Sequence, residues 1–414
     1  MPTQIDVAGR APAAARPESA TVRPPTVRLL LVSAGNYPPD FGGGQLRVHK
    51  TLIRMRERHP LSVEVLALTG ASTRPGWSET DGIAVYRLPQ TSGTFSLALA
   101  IGRQMRDARR RGVDIVYALA ISRTVYLAAL WARLLRLPLM VEIVNRSLHE
   151  KLSRRLVARL LTRSADLVVA ISEPVAREIR AFGVADRKIW VRPNPVDLGL
   201  HRLPSVEEQA RERHRLGYAR DIVLHLVAGS ISPRKNQLFA IDAFERLDER
   251  HRLLIIGPVL PQNRAYADRL RARVAASSAR ERIRLVDRFD DALHRVMYAV
   301  DCLWLASIEE GLGNVMLEAL CCGVPCIVNR DLGMQAHVTS GENGWQAALD
   351  PADWCRAVRM VMPLIESPLQ RASISEAARR RYDSARFDAA FHNRLLALAG
   401  HPEAAEAGEQ PAFR

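Results

Sequence analysis

Short apolar runs alternate with amphipathic stretches along most of this chain. Strand-length runs fall at 27–32, 63–68, 114–120, 139–144 and 166–171, and the segments between them, 44–58, 95–111, 122–136 and 147–164, carry helical spacing. A second series repeats the scheme at 221–228, 252–256, 283–286, 302–306 and 326–328. There the pattern predicts a helix over 236–250, with Leu238, Ile241, Phe244 and Leu247 along one face, and a shorter one over 314–322. Alternation of this kind implies parallel sheets covered on both faces. A length of 414 residues exceeds what one core usually organises. The expected fold class is therefore α/β, two doubly wound, Rossmann-like domains over 27–196 and 197–384. Residues 1–26, rich in Ala, Pro and Arg without apolar periodicity, read as a disordered tail, and 399–414 as a second tail.

The densest candidate chemistry follows the run 302–306. The stretch Glu309-Glu310-Gly311-Leu312-Gly313-Asn314-Val315-Met316-Leu317-Glu318 sets carboxylates, glycines and a helix start close together. Gly311 and Gly313 let the backbone turn sharply. The helix start aims free N–H groups and a partial positive charge at whatever lies before it, which favours a diphosphate. Glu310 in the loop and Glu318 one turn into the helix can accept hydrogen bonds from two separate groups of hydroxyls, such as those of a sugar and a ribose. The two glutamates alone leave a plainer account open, a solvated loop pair and an ordinary helix-surface residue.

Gly229 leaves the strand 221–228 and Lys235 precedes the next helix, an arrangement that can hold phosphate. Of 59 basic residues four are lysines, at 50, 151, 188 and 235, so a lysine here by chance is uncommon; a solvated lysine at a helix start is the competing account. In the first half, Tyr37-Pro-Pro-Asp-Phe-Gly42-Gly43-Gly44 follows the first strand and opens a helix, the place where doubly wound folds bind ligands. Such glycines also serve tight helix packing. Between the two halves, Pro193, Asn194 and Pro195 stand together and look like a hinge.

The string from Glu310 to Glu318 resembles the glutamate, seven residues, glutamate signature of retaining glycosyltransferases of family 4, and Glu318-Ala-x-x-x-Gly323-x-Pro325 continues that family's pattern. Ala165 to Glu173 and Asn343-Gly344 also match, and the resemblance spans roughly 28–398. It implies the two-domain GT-B fold, with the last helix, 385–398, crossing back to the first domain. It also implies a retaining enzyme that moves a hexose-type sugar from a nucleoside-diphosphate sugar, with no divalent cation or other cofactor, to a glycan or a polyprenyl- or other lipid-linked acceptor. Bacterial surface polysaccharide or glycolipid synthesis is the expected setting, and the absence of any Asp-x-Asp motif fits.

On this resemblance Lys235 and Glu310 are assigned to catalysis. Gly229, Gly311, Leu312, Gly313, Asn314, Val315 and Glu318 are assigned to the donor, and Gly43 and Gly44 to the opposite wall of the cleft. Three positions depart from the family. Ser230 stands where an arginine is expected directly after the glycine, and Arg234 is assigned the missing charge. Pro195 replaces a glycine of the hinge. Asn145 ends the run 139–144, after which many members carry a histidine, and no role passes to His149. A sugar-nucleotide 2-epimerase on the same fold, and a catalytically vestigial membrane or nucleic-acid binding module, are the alternatives.

Charge changes the picture of the first half. Residues 1–200 hold 30 Lys/Arg against 16 Asp/Glu, and 201–414 hold 29 against 28, so nearly all of the excess of +15 belongs to the acceptor side. Within it, 146–163 sets Leu148, Leu152, Leu156, Val157, Leu160 and Leu161 along one helical face, expected to cover the sheet, with six cations on the remainder. Such a surface suits an anionic membrane or a diphosphate-linked lipid. No nucleic-acid motif or interleaved aromatics accompany the arginines, so nucleic acid is not expected as a partner. The five cysteines, 302, 321, 322, 326 and 355, have no zinc spacing and read as buried thiols of a reducing cytoplasm. The N-terminus lacks the apolar core of a signal peptide and the apolar run 125–132 is too short to span a bilayer. The expected location is cytoplasmic, peripheral on the inner face of the membrane.

Overall fold

The computed structural model describes residues 25–403 apart from 34, 36, 39–42, 71, 91–92, 145–151, 289–291, 333 and 335, and of 43–44 and 152–154 it describes the backbone alone. Residues 1–24 and 404–414 of the expected tails, with Asn145 and His149, lie outside the described residues. The first half runs β1 Val27–Ser33, α1 Gly43–Arg58, β2 Leu61–Leu68, β3 Gly76–Thr80, β4 Ile83–Leu88, α2 Thr94–Arg110, β5 Ile115–Leu119, α3 Arg123–Leu134, β6 Leu139–Ile143, α4 Leu152–Ser164, β7 Leu167–Ala170, α5 Glu173–Ala181 and β8 Ile189–Val191. The second runs α6 Val206–Leu216, β9 Val223–Ala228, α7 Gln237–Phe244, β10 His251–Ile256, α8 Arg264–Ala275, β11 Ile283–Val286, α9 Leu293–Ala299, β12 Cys302–Leu305, α10 Asn314–Cys321, β13 Cys326–Asn329, β14 Gly344–Ala347, α11 Pro351–Glu366, α12 Pro368–Tyr382 and α13 Ser384–Leu398.

Two sheets result. The first has eight strands in the order β3-β4-β2-β1-β5-β6-β7-β8, parallel except for the outermost β3. The second has six parallel strands in the order β11-β10-β9-β12-β13-β14. In each sheet the chain winds outward from a central strand in one direction and then returns to its other side, β1 between β2 and β5, β9 between β10 and β12. The carboxyl ends of those central strands open into a crevice at the point of reversal.

Helices cover both faces, as continuous apolar strands require. Leu52 and Met55 of α1 meet Leu31, Tyr117 and the returning α13, whose Phe391 and Leu395 complete this cluster. Under α2 to α5 a second cluster continues without a break into the other half through Ile171, Val196 and Leu312. A third buries Phe244, Leu270, Trp304 and Trp354 on the far side of the second sheet. Arg54 holds α13 in place, its Nε donating to Asp388 Oδ2 over 2.6 Å and Nη2 to Oδ1 over 2.9 Å.

The elements depart from expectation where a strand lacks a continuous apolar run or a helix turns out shorter. β3 and β4 were not anticipated because β3 is an exposed edge and β4 alternates. Their turn, Asp81-Gly82, has φ of 50° and 72°, the two-residue hairpin geometry that an Asp-Gly pair signals. The helix expected over 236–250 is confined to Gln237–Phe244: Asn236 takes a left-handed φ of 56° ahead of it, and beyond Phe244 the chain passes into turns. Along α4, Ala158, Leu161 and Thr162 face the sheet. Leu156 and Leu160, expected on the covered stripe, are instead 52% and 56% exposed.

Candidate active site

The loop after β9 is shaped by two close approaches. Gly229 has φ +137°, and a Cβ there would lie 3.0 Å from Lys235 Cε, so the lysine stem rests on the glycine. A Cβ on Gly257, at the end of β10, would fall 1.9 Å from the Gly229 carbonyl oxygen, so only glycine lets the two strand ends meet. From Gly229 the chain passes through a single 3-10 turn, Pro233–Lys235. The Ile308 N–H then donates to the Arg234 carbonyl over 2.9 Å, joining this loop to the one after β12.

That junction brings Arg234, Lys235 and Glu310 together. Lys235 Nζ and Arg234 Nη1 both donate to Glu310 Oε2, over 3.0 and 2.9 Å, and the same Arg234 nitrogen reaches the Glu309 carbonyl at 3.1 Å. Lys235 and Glu310 are largely enclosed, whereas the Arg234 side chain is 46% exposed. Glu310 was expected to accept from substrate hydroxyls and to serve catalysis; its Oε2 is already engaged by two cations, and Oε1 has no partner among the described residues. Two positive charges against one leave the cluster cationic. Ser230 contributes through its carbonyl, which accepts from Gln237 Nε2 at 3.1 Å and Ser232 Oγ at 3.3 Å.

Beyond Glu310 the chain turns through Gly313, φ 72°, into α10 without a side-chain cap. Among the described residues the N–H groups of Asn314 and Val315 have no partner, so the positive end of the helix is open as expected. Leu312 is buried, so only its backbone is available to a ligand. Glu318, half-buried one turn further on, has its carboxyl pushed up from the ordinary value by burial, against the opposing pull of His201 and Lys50. Lys50 belongs to α1, so a cation of the first domain acts across the crevice on this glutamate.

The first domain closes against this loop. A Cβ on Gly311 would stand 2.4 Å from the Val144 carbonyl oxygen and 2.9 Å from Ile171 Cδ1, and Ser172 Oγ donates to the Gly311 carbonyl over 2.8 Å. Asn194 of the expected hinge donates its amide to Asn314 Oδ1. Gly43 and Gly44 form the first turn of α1. Tyr37 and Pro38, ahead of them, are held by residues the sequence did not single out: Arg87 donates to the Tyr37 and Pro38 carbonyls at 3.2 and 2.5 Å, and His49 and Asp81 form a chain of 2.8 Å contacts with the Tyr37 hydroxyl.

A second polar cluster was also missed. Glu142 lies fully buried in β6, bonded to Arg47 of α1, Tyr117 of β5 and, at 2.8 Å, Arg192. Burial alone would raise its pKa, but the two guanidiniums outweigh it and hold the carboxyl at about 2. The available signal was a charge inside the apolar run 139–144, which is tolerable only when paired.

The structure thus gathers Gly229, Arg234, Lys235, Glu310, Gly311, Leu312, Gly313, Asn314, Val315 and Glu318 around one crevice. Comparison with known proteins addresses the family. The family model for glycosyl transferases group 1 matches residues 206–381, and that for the glycosyl transferase 4-like domain matches 42–195. A D-inositol 3-phosphate glycosyltransferase of Geodermatophilus obscurus is 28% identical over 226 residues, 52% of this chain and 48% of that protein. The chain spans about half the length of the curated D-inositol 3-phosphate glycosyltransferases it matches. The UDP-Gal:alpha-D-GlcNAc-diphosphoundecaprenol alpha-1,3-galactosyltransferase of Escherichia coli is 25% identical over 256 residues, 59% of this chain and 65% of that one. Among solved structures, Anabaena HepE in complex with UDP superposes with a TM-score of 0.76 at 20% identity, covering 90% of this chain and 100% of that one. This last likeness is one of fold.

Proposed function

We propose that this chain, which belongs to the group 1 glycosyltransferases and has two Rossmann-like domains of the GT-B type, is an enzyme that moves a hexose-type sugar from a nucleoside-diphosphate sugar to a glycan or lipid-linked acceptor. In this reading residues 27–196 form the acceptor domain, 197–384 the donor domain, and 385–398 the helix that returns. The observation that carries it is the cationic Arg234–Glu310–Lys235 cluster set beside the open start of α10. A diphosphate placed there meets Lys235, Arg234 and the N–H groups of Asn314 and Val315 at once. Glu318 then accepts from the ribose, and Glu310 Oε1 from the sugar. Gly311 and Gly313 keep the backbone low enough for the phosphates to approach, and Gly43 and Gly44 form the facing wall. Support for the substrates comes from the Anabaena protein's UDP and from the E. coli relative's diphosphoundecaprenol-linked acceptor.

The reaction follows from where charge develops. The bond between the anomeric carbon and the diphosphate oxygen breaks, the acceptor oxygen bonds that carbon from the same face, and the acceptor's proton passes to the departing phosphate oxygen. The configuration is retained, and a nucleoside diphosphate leaves. The protein's part is to hold both substrates in register and to stabilise negative charge on the leaving group. Arg234, Lys235 and the helix start supply the positive charge that a divalent cation would otherwise bring, so the transfer is proposed to be metal-independent. Surface polysaccharide or glycolipid synthesis is the proposed setting. Incubation with UDP-, GDP- and ADP-sugars, with and without polyprenyl-diphosphate-linked acceptors, tests this. Acceptor-dependent nucleotide release with retained anomeric configuration is expected. Conversion of the sugar nucleotide without acceptor would instead identify a 2-epimerase, and no turnover of any donor would overturn the enzyme reading.

A further inference from the structure

The outer face of three neighbouring helices in the first domain is apolar and cationic together. α2 and α3 pack so closely that a Cβ on Gly102 would lie 2.3 Å from the Trp131 indole, whose Nε1 donates to the Ala98 carbonyl at 2.9 Å, and α4 packs along the other side of α3. Their inward sides are satisfied by Leu97, Ile101, Val125, Ala128, Ala158 and Leu161 in the core. Outward stand Phe95, Leu99, Leu130, Leu134, Leu156 and Leu160, each 44% to 76% exposed. Six of the fourteen large apolar side chains that are exposed among the described residues therefore fall on these three helices, which is clustering rather than ordinary scatter.

The charge on the same helices is one-sided. They carry ten arginines and one acid, Asp107, which already pairs with Arg110. Arg103, Arg155, Arg159 and Arg163 have no acidic partner among the described residues. A nucleic acid would use the arginines but leave the leucines in water. An anionic lipid surface uses both, with guanidiniums at the phosphate level and leucines in the interfacial layer.

We propose that the α2–α3–α4 face docks onto an anionic bilayer. α2, α3 and α4 begin at the carboxyl ends of β4, β5 and β6, the end that also carries Val144 against Gly311, so one edge of this face borders the crevice. The cytoplasmic leaflet, which carries anionic lipid, fits this face. The docking surface rests on exposed side chains alone and holds whatever the donor site binds.

Co-sedimentation of the full chain with phosphatidylcholine vesicles, with and without an equal part of phosphatidylglycerol, tests it. The protein is expected to pellet with the mixed vesicles at low salt and to stay in solution with phosphatidylcholine alone. Reversal of Arg155, Arg159 and Arg163 to Glu should lower partitioning tenfold or more at about 0.1 M salt, where surface charge is only partly screened. Leu156→Ser with Leu160→Ser should remove the fraction that survives higher salt. All five positions are exposed, so an unchanged thermal midpoint shows that the fold is intact. The proposal is overturned if the wild type ignores anionic vesicles at low salt, if neutral vesicles bind it equally, or if both variants pellet like the wild type. It is also overturned if the chain is a dimer in solution that the leucine variant dissociates, since a second copy then covers this face.

Discussion

Lys235 and Glu310 stand 75 residues apart, yet both were legible, because local backbone chemistry marks each: a glycine leaving a strand ahead of one, glycines and a helix start behind the other. Glu142 carries no such mark. Its partners Arg47 and Arg192 lie 95 and 50 residues away, and only the assembled sheet shows how a carboxylate is sustained inside an apolar strand. At the donor side, Lys235→Ala and Glu318→Ala are each expected to weaken binding of the preferred nucleotide sugar roughly ten- to a hundredfold, the loss of a charged hydrogen bond in a desolvated cleft. Glu309→Ala should leave it unchanged, since only the Glu309 carbonyl joins the cluster. Calorimetric titration reads all three, and unaltered affinity in the first two overturns the site. Arg234→Ala should lower kcat more than it weakens donor binding, because negative charge on the leaving phosphate peaks in the transition state. Steady-state kinetics of this variant and of Ser230→Arg measure the effect, and a fully active Arg234→Ala enzyme rejects the arginine's role.

At the scale of elements, the loop before α10 and the returning α13 are where the two halves meet. Gly311→Ala drives a methyl into the Val144 carbonyl, so the loop must move away from the first domain. A cost of about 1–3 kcal/mol is expected from such overpacking, together with loss of nucleotide binding; thermal unfolding and titration of one sample report both, and a variant equal to wild type in each refutes the close approach. Helix α13 depends on Asp388, whose side chain is 1% exposed beside Arg54. Asp388→Ala strands that arginine and should cost about 3 kcal/mol in denaturant unfolding, while the paired change Asp388→Leu with Arg54→Met should recover much of it. A single replacement without effect would show that the ion pair does not hold the helix. Both the last helix and its return to the first domain came only with the resemblance, since nothing in 385–398 points to α1.

Across the whole molecule, several histidines are buried in neutral form. Burial, with Arg381 adding to it, lowers His337 to about 4 beside the Tyr382 hydroxyl at 2.7 Å. Burial and the stacked His59 do the same for His392, also to about 4. His225, bonded to His251 at 2.8 Å between β9 and β10, is lowered by burial and by that neighbour. A depressed histidine stabilises the fold fully above the unfolded value near 6.5 and loses that contribution as pH falls toward the folded value. Stability should therefore drop between about pH 6.5 and 4, by up to ~1.4 kcal/mol per pH unit for each such histidine. Urea unfolding across this range measures the slope; His337→Gln should flatten it, and an unchanged slope would show that His337 is not among its causes. Two doubly wound units, the glycine-marked loops that carry Lys235 and Glu310 and the bias of positive charge toward the first half were determined by the sequence itself, because strand length, glycine punctuation and composition are local quantities. The tertiary structure alone decided that Arg234 and Lys235 share one oxygen of Glu310, that Gly311 abuts Val144, and that Leu156 and Leu160 face outward among arginines. Each of those depends on which surfaces are brought together, and helical spacing places an apolar stripe on a helix without saying whether a sheet or a solvent-facing partner will cover it.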